Sequence, residues 1–151
     1  MAIVTLDDMC AHQGALIGID PGSKTYGLAI SDTTRLIATP LHTIRRKKFS
    51  KDAQSIFEAY DTHNCVGMIV GYPINMDGTE GPRCQSVRDF VTNLLEKRDV
   101  PILLWDERLS TAAVTRTMLE ADISRAKRAE NVDKLAAAYL LQGLLDRLKQ
   151  A

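Results

Sequence analysis

The sequence predicts an α/β domain built on a mixed sheet, and three observations predict it. Short apolar runs follow one another closely near the start of the chain. An apolar run, an amphipathic stretch and a second apolar run occupy the middle, and the end reads as helix. Three strands in quick succession suggest an antiparallel meander, and strand, helix, strand implies a parallel, right-handed crossover.

Taken in order, Ala15 to Ile19 and Tyr26 to Ser31 flank a Pro21-Gly22-Ser23 turn, and Leu36 to Ile44 is a third extended segment. Ser50 is expected to cap a helix in which Ala53, Ile56, Phe57 and Tyr60 share one face. Cys65 to Val70 reads as a buried strand, ended by Gly71-Tyr72-Pro73. Val87, Phe90, Val91, Leu94 and Leu95 make the stripe of the next helix, and Pro101 to Trp105 is the following strand. Ser110 opens a short helix to about Ala121, the polar stretch from Asp122 to Asn131 is expected to be a mobile linker, and Val132 to Leu148 forms a last helix. The sum is a five-stranded mixed sheet flanked by helices. Residues 1–14 carry no motif and read as a variable extension; residues 15–151 form the domain.

At 151 residues the chain fits one domain with a continuous core, and 45% hydrophobic with 25% charged residues is an ordinary globular composition. With 19 basic and 19 acidic side chains the formal charge is zero, so attraction to a polyanion must come from local patches. Cys10, Cys65 and Cys84 are odd in number and not closely paired, which suits reduced thiols rather than a disulfide frame or zinc site. His12, His42 and His63 are scattered and carry no catalytic pattern. No run approaches the roughly 18 apolar residues of a membrane span, and the N-terminus lacks a secretory pattern; a cytoplasmic protein is expected.

The chemistry is expected at strand ends. Asp20 follows four apolar residues and precedes Pro21-Gly22, which places it at a strand's carboxyl end, where α/β sheets commonly bind ligands. Glu107 holds the same kind of position after Ile102 to Trp105, and Asp133 lies in the first turn of the last expected helix. Three hard oxygen ligands without histidine or cysteine suit Mg²⁺ or Mn²⁺, and two such ions about 4 Å apart can clamp the attacking and leaving oxygens of a phosphodiester. Each acid also has a plainer reading. Asp20 could form an Asx-type turn, Glu107 could be a solvated strand end, and Asp133 could simply complement a helix dipole.

Four segments carry a resemblance. Gly18-Ile19-Asp20-Pro21-Gly22-Ser23-Lys24-Thr25-Tyr26-Gly27-Leu28-Ala29-Ile30-Ser31-Asp32 is similar to the first motif of the YqgF/RuvX family. Val70-Gly71-Tyr72-Pro73-Ile74-Asn75-Met76-Asp77-Gly78-Thr79-Glu80-Gly81-Pro82, Asp106-Glu107-Arg108-Leu109-Ser110-Thr111 and Val132-Asp133-Lys134-Leu135-Ala136-Ala137 resemble its later motifs, in family order. The resemblance implies an RNase H-like fold and a nuclease acting on the 5′ end of pre-16S rRNA in ribosome biogenesis. Carried over by residue, it implies Asp20, Glu107 and Asp133 as catalytic and metal-binding acids around a two-metal Mg²⁺ or Mn²⁺ site. Two positions depart from the family's usual pattern. Asp20-Pro21-Gly22 is similar to the first motif of RuvC-type Holliday junction resolvases, which keeps a branched DNA substrate as the alternative. Tyr72 stands where leucine is usual and is read only as an aromatic available to substrate.

Lys24, Arg108, Arg125, Lys127 and Arg128 are the expected phosphate contacts, positioning a backbone without reading bases. The tract Arg45-Arg46-Lys47-Lys48 is read as a solvated loop. The expected partner is structured RNA, and the oligomeric expectation is a monomer or a homodimer, junction resolution favouring the two-fold dimer. Two other classes fit parts of the pattern. A non-catalytic nucleic-acid-binding module would have little use for all three acids. A phosphotransferase of the actin-like or sugar-kinase type would need a second domain to close its cleft.

Overall fold

The computed structural model describes residues 3–11, 13–22, 24–73, 77–106 and 125–149, with side chains of the last segment described over 135–148. The elements are α1 (Leu6–Ala11), β1 (Ala15–Pro21), β2 (Thr25–Ser31), β3 (Ala38–Arg45), α2 (Phe49–Thr62), β4 (Cys65–Tyr72), α3 (Pro82–Lys97), β5 (Ile102–Asp106) and α4 (Arg125–Lys149). The expected helix from Ser110 to Ala121 lies outside the described residues.

The sheet has five strands in the order β3-β2-β1-β4-β5. β1 pairs antiparallel with β2, and β2 with β3, so the expected meander is present. β1 pairs parallel with β4 and β4 with β5, as the crossover rule requires. Each face of the sheet is covered. Ile17, Ile19, Tyr26, Leu28, Met68, Val70 and Ile102 pack with α2 and α3 through Ile56, Tyr60, Val87, Phe90 and Leu94. Leu16, Ala29, Ile69, Leu103 and Trp105 pack on the other side with Met9 of α1 and with Ala137, Leu140, Leu141, Leu144 and Leu145 of α4. Because both faces are buried, β1 and β4 read as nearly unbroken apolar runs instead of alternating ones.

Four boundaries depart from the sequence reading, each for a physical reason. β3 starts at Ala38, not Leu36, because Oδ1 of Asp32 accepts the N–H groups of Leu36 and Ile37 at 2.8 and 3.0 Å and closes a turn there. α2 starts at Phe49, so Ser50 lies inside its first turn. The buried carboxylate of Asp52 instead accepts the Lys47 N–H, at 3.1 and 3.2 Å, and fixes the entry. α4 starts at Arg125, so most of the expected linker is helical; Arg125-Ala-Lys-Arg-Ala-Glu has no glycine or proline and consists of strong helix formers.

The fourth departure is at the N-terminus, where the segment without a motif forms α1. Thr5 and Asp8 make a reciprocal capping pair, Asp8 Oδ2 accepting the Thr5 N–H at 3.1 Å and Thr5 Oγ1 accepting the Asp8 N–H at 3.2 Å. Met9 is fully buried, and the Val4 N–H donates to the Ile102 carbonyl at 2.8 Å. Arg35 fastens α1 to the β2–β3 turn, donating to the carbonyls of Met9 and Gly14 at 2.7 and 2.8 Å.

Candidate active site

The carboxyl ends of β1, β4 and β5 share one rim. Ile19 is level with Val70, Gly71 with Trp105, and Tyr72 with Asp106. Asp20 therefore stands level with Gly71, two strands or roughly 10 Å across the sheet from Trp105. Asp20 is 4% exposed, one of three buried polar or charged residues among those described. Side chains alternate along a strand. Ile17 and Ile19 face α2 and α3, so Gly18 and Asp20 face α4.

Gly18 lets α4 approach. A β-carbon there would lie 3.0 Å from the Leu141 β-carbon and 3.3 Å from the Ala137 carbonyl oxygen. The direction of α4 is set further along, where the Gln142 side chain accepts the Ala38 N–H at 2.9 Å and donates to the Leu36 carbonyl at 3.0 Å. Ala38 pairs with Ser31, at the end of the sheet opposite Asp20. The helix accordingly runs from the Asp20 end toward the Ala38 end, and the Asp133 position, four residues before Ala137, falls toward the Asp20 end. Since α4 starts at Arg125, Asp133 lies more than two turns inside the helix. A dipole effect is confined to the first turn, so the plain reading of Asp133 as a macrodipole acid does not hold.

Glu107 and Arg108 lie outside the described residues, as do the side chains of Asp133, Arg125, Lys127 and Arg128. Lys24 is exposed in the β1–β2 turn. Among the described residues no three metal-ligating side chains converge; the donor described is the Asp20 carboxylate. The buried indole N–H of Trp105, on the α4 side of the sheet, has no hydrogen-bond partner among the described residues.

Tyr72 does not face this side. It belongs with Met68 and Val70 in the α2/α3 layer, its hydroxyl donating to Glu80 and accepting from Arg88, while Arg88 bonds Glu80 at 3.0 Å. Burial and the Glu80 hydrogen bond push its pKa up to about 12. The aromatic read as available to substrate is a fastener between β4, the following loop and α3. The buried thiol of Cys65 is pushed up to about 12 by burial, as suits an inert core cysteine.

A feature not read from the sequence sits on the other side of the same rim. Arg46 donates to the Gly22 carbonyl at 2.8 Å and lies 4.8 Å over the Tyr26 ring, and Arg83 donates to the Pro21 carbonyl at 3.3 Å. Tyr26 stacks on Phe90 at 4.8 Å. In sequence Arg46 is hidden inside a run of four cations, and nothing in that run marks which one packs on an aromatic.

A family profile described as "RuvX: Holliday junction resolvase" matches residues 14–147. The chain belongs to the RuvX family. A relative from Paramagnetospirillum magneticum, named "Putative pre-16S rRNA nuclease", is 63% identical over 131 residues, 87% of this chain and 84% of the relative. One of the same name from Phenylobacterium zucineum is 52% identical over 154 residues, covering 99% of each chain. Among solved structures, Thermus thermophilus RuvC in complex with a Holliday junction substrate aligns with a TM-score of 0.54 at 15% identity, over 89% of this chain and 95% of that one. The yeast mitochondrial Holliday junction resolvase aligns with a TM-score of 0.50 at 14% identity, over 96% and 84%. At these identities the likeness is one of fold, and that fold is the RNase H-like mixed sheet. No described helix is long and apolar enough to cross a membrane.

Proposed function

We propose that this RuvX protein is a divalent-metal-dependent nuclease that processes the 5′ end of pre-16S rRNA, with Asp20, Glu107 and Asp133 as its catalytic acids. Family membership makes it a hydrolase acting on ester bonds of nucleic acids. The observation that carries the finer reading is the buried Asp20 carboxylate at the end of β1, on the face where Gly18 admits α4 and where the Asp133 position falls at the same end. Burying a carboxylate is costly unless it is paired, hydrogen-bonded or coordinating a cation.

The donor chemistry fits Mg²⁺ or Mn²⁺, since carboxylate oxygens without histidine or thiolate select hard cations. When bound, such ions stabilise charge on the attacking and leaving oxygens of a phosphodiester and lower the pKa of the attacking water. Asp20 fixes one ligand on the rigid central strand of the sheet. Glu107, directly after β5, and Asp133, within α4, supply the others, so the ligands come from separate elements. The sheet and α4 exclude bulk water from beneath Asp20, which strengthens electrostatic interactions there. Lys24 and, from sequence, Arg108, Arg125, Lys127 and Arg128 hold the backbone.

The deciding experiment presents a 5′-extended pre-16S precursor and a four-way DNA junction side by side, with Mg²⁺, with Mn²⁺ and with chelator. Metal-dependent trimming of the precursor is expected. Cleavage of the junction alone would replace the RNA substrate with branched DNA, for which Asp20-Pro21-Gly22 is the motivating feature, and cleavage of neither in any metal would overturn the catalytic reading.

A further inference from the structure

The Arg46 and Arg83 pair flanks a groove of about 320 Å³ lined by Pro21, Gly22, Tyr26, Ser86, Val87 and Phe90 besides the two arginines. Its floor is aromatic and fixed, with Tyr26 and Phe90 stacked and Phe49 edge-on to Phe90 at 6.2 Å. Its charge is one-sided. Among the described residues no carboxylate lines it, whereas the adjoining groove, which shares Tyr26, Arg46, Ser86 and Phe90, is lined by Asp52 and Asp89 as well.

Neither arginine is in an ion pair among the described residues, where Arg88–Glu80 and Arg98–Asp61 are the bridges formed. A guanidinium has five N–H donors. Arg83 uses one on the Pro21 carbonyl, and Arg46 bonds both the Gly22 carbonyl and the Tyr26 side chain, which sets their position and leaves further donors beside the groove. Exposed, pre-positioned guanidiniums with spare donors and no ion pair among the described residues match a phosphate oxygen better than any neutral ligand.

We propose that Arg46 and Arg83 clamp a phosphodiester group of a nucleic-acid strand in the groove beside Pro21 and Gly22, across the rim from the Asp20 carboxylate. The inference rests on the reading that the protein acts on nucleic acid, and gives that substrate a second anchor. Pro21 and Gly22 directly follow Asp20, so a strand held there crosses the end of β1 and reaches the acid from the α2/α3 side. The contact carries no base information, because phosphate contacts position and do not specify.

The test measures binding without cleavage. A fluorescein-labelled RNA hairpin with a single-stranded 5′ extension and a labelled four-way DNA junction are titrated in chelator over a salt series. The proteins compared are the wild type, Arg46→Gln/Arg83→Gln, Arg83→Gln alone, and Lys97→Gln, an exposed cation at the far end of α3. Loss of the one clamped phosphate should lower the slope of log affinity against log salt by about 0.7 to 0.9 in the double variant, and by part of that in Arg83→Gln. Affinity at low salt should fall roughly tenfold or more in the double variant, with Lys97→Gln unchanged. If the double variant fails to fold, Arg83→Gln decides by itself, since its carbonyl bond is the longer of the two. An unchanged slope in a folded variant overturns the clamp even if the wild type cleaves. A wild type that binds neither probe overturns it as well. A wild type that binds with the expected slope changes but cleaves nothing keeps the clamp and fails the nuclease reading.

Discussion

Gly18 of β1 and Leu141 of α4 approach so closely that a β-carbon on Gly18 would stand 3.0 Å from the Leu141 β-carbon. The close approach sets the height of α4 above the sheet. It thereby couples the strand that carries Asp20 to the helix that carries Asp133.

Gly18→Ala is expected to destabilise the fold by about 1–3 kcal/mol, the usual cost of overpacking a tight core, and to lower cleavage more than stability alone explains. Ile56→Val, a change in the other core layer that costs about 0.5–1.5 kcal/mol, serves as the comparison. Urea midpoints and cleavage rates well below both melting temperatures separate the two effects. Equal rates in the two variants would mean that the α4 height does not matter to the site.

The N-terminal segment has a measurable structural role. Met9 is fully buried, and a β-carbon on Gly67 would lie 2.6 Å from its sulfur, so the two residues interlock α1 with β4. Met9→Ala is expected to cost about 2–5 kcal/mol, read from chemical denaturation. A loss under about 0.5 kcal/mol would show that α1 detaches freely.

The strands and the α2 and α3 stripes were legible because apolar spacing is the signal that burial leaves in a sequence. The place of Asp20 at a strand's carboxyl end was legible because four apolar residues and a Pro-Gly turn bracket it. What was not legible depended on long-range partners. α1 spans six residues with one buried side chain, Met9, too short for a helical period to show. The sequence at the start of α4 is rich in charged residues and has no large apolar side chain before Val132, so composition suggested a linker where helix propensity prevailed. Tyr72 ends a strand buried on both faces, where an unbroken apolar run hides which face each residue takes.

Tyr72→Phe is expected to leave cleavage of the rRNA precursor within about twofold of wild type, since its hydroxyl is occupied by Glu80 and Arg88 on the far side of the sheet. Its stability should change with pH. The raised folded pKa of about 12 makes the contribution of the neutral phenol fully present below pH 10, the ordinary value, and lost as pH rises from 10 through 12. The wild type should therefore lose its advantage over Tyr72→Phe in that alkaline window, and a large drop in cleavage at neutral pH would return Tyr72 to the substrate path.

Asp32 provides the acid counterpart. The Ile37 backbone N–H, the Thr34 hydroxyl and the Leu36 N–H hold its pKa near 2, below the ordinary 3.8. A depressed carboxylate contributes stability that is present above the unfolded value and lost as pH falls through the folded one. Asp32→Asn should thus differ from wild type at neutral pH and converge with it between about pH 4 and pH 2. A difference that persists unchanged below pH 2 would show that the carboxylate charge is not what holds the β2–β3 turn.

The sharpest test concerns Asp20 itself. Its side chain is 4% exposed on a strand paired on both sides, so a size-conserving change to asparagine leaves the packing intact while removing the charge. If the carboxylate is there to hold divalent metal, Asp20→Asn should abolish detectable cleavage, with a drop of at least about 10³-fold, and should weaken Mn²⁺ binding measured by calorimetry in the absence of substrate. Its melting temperature without metal is the folding control, because the substitution conserves size at a packed position. The metal-dependent rise in melting temperature shown by the wild type should shrink in the variant, since only binding to the native state stabilises it. An Asp20→Asn protein that melts lower without metal, yet binds Mn²⁺ and cleaves as the wild type does, would make Asp20 a turn-forming residue whose carboxylate serves the Pro21-Gly22 corner alone.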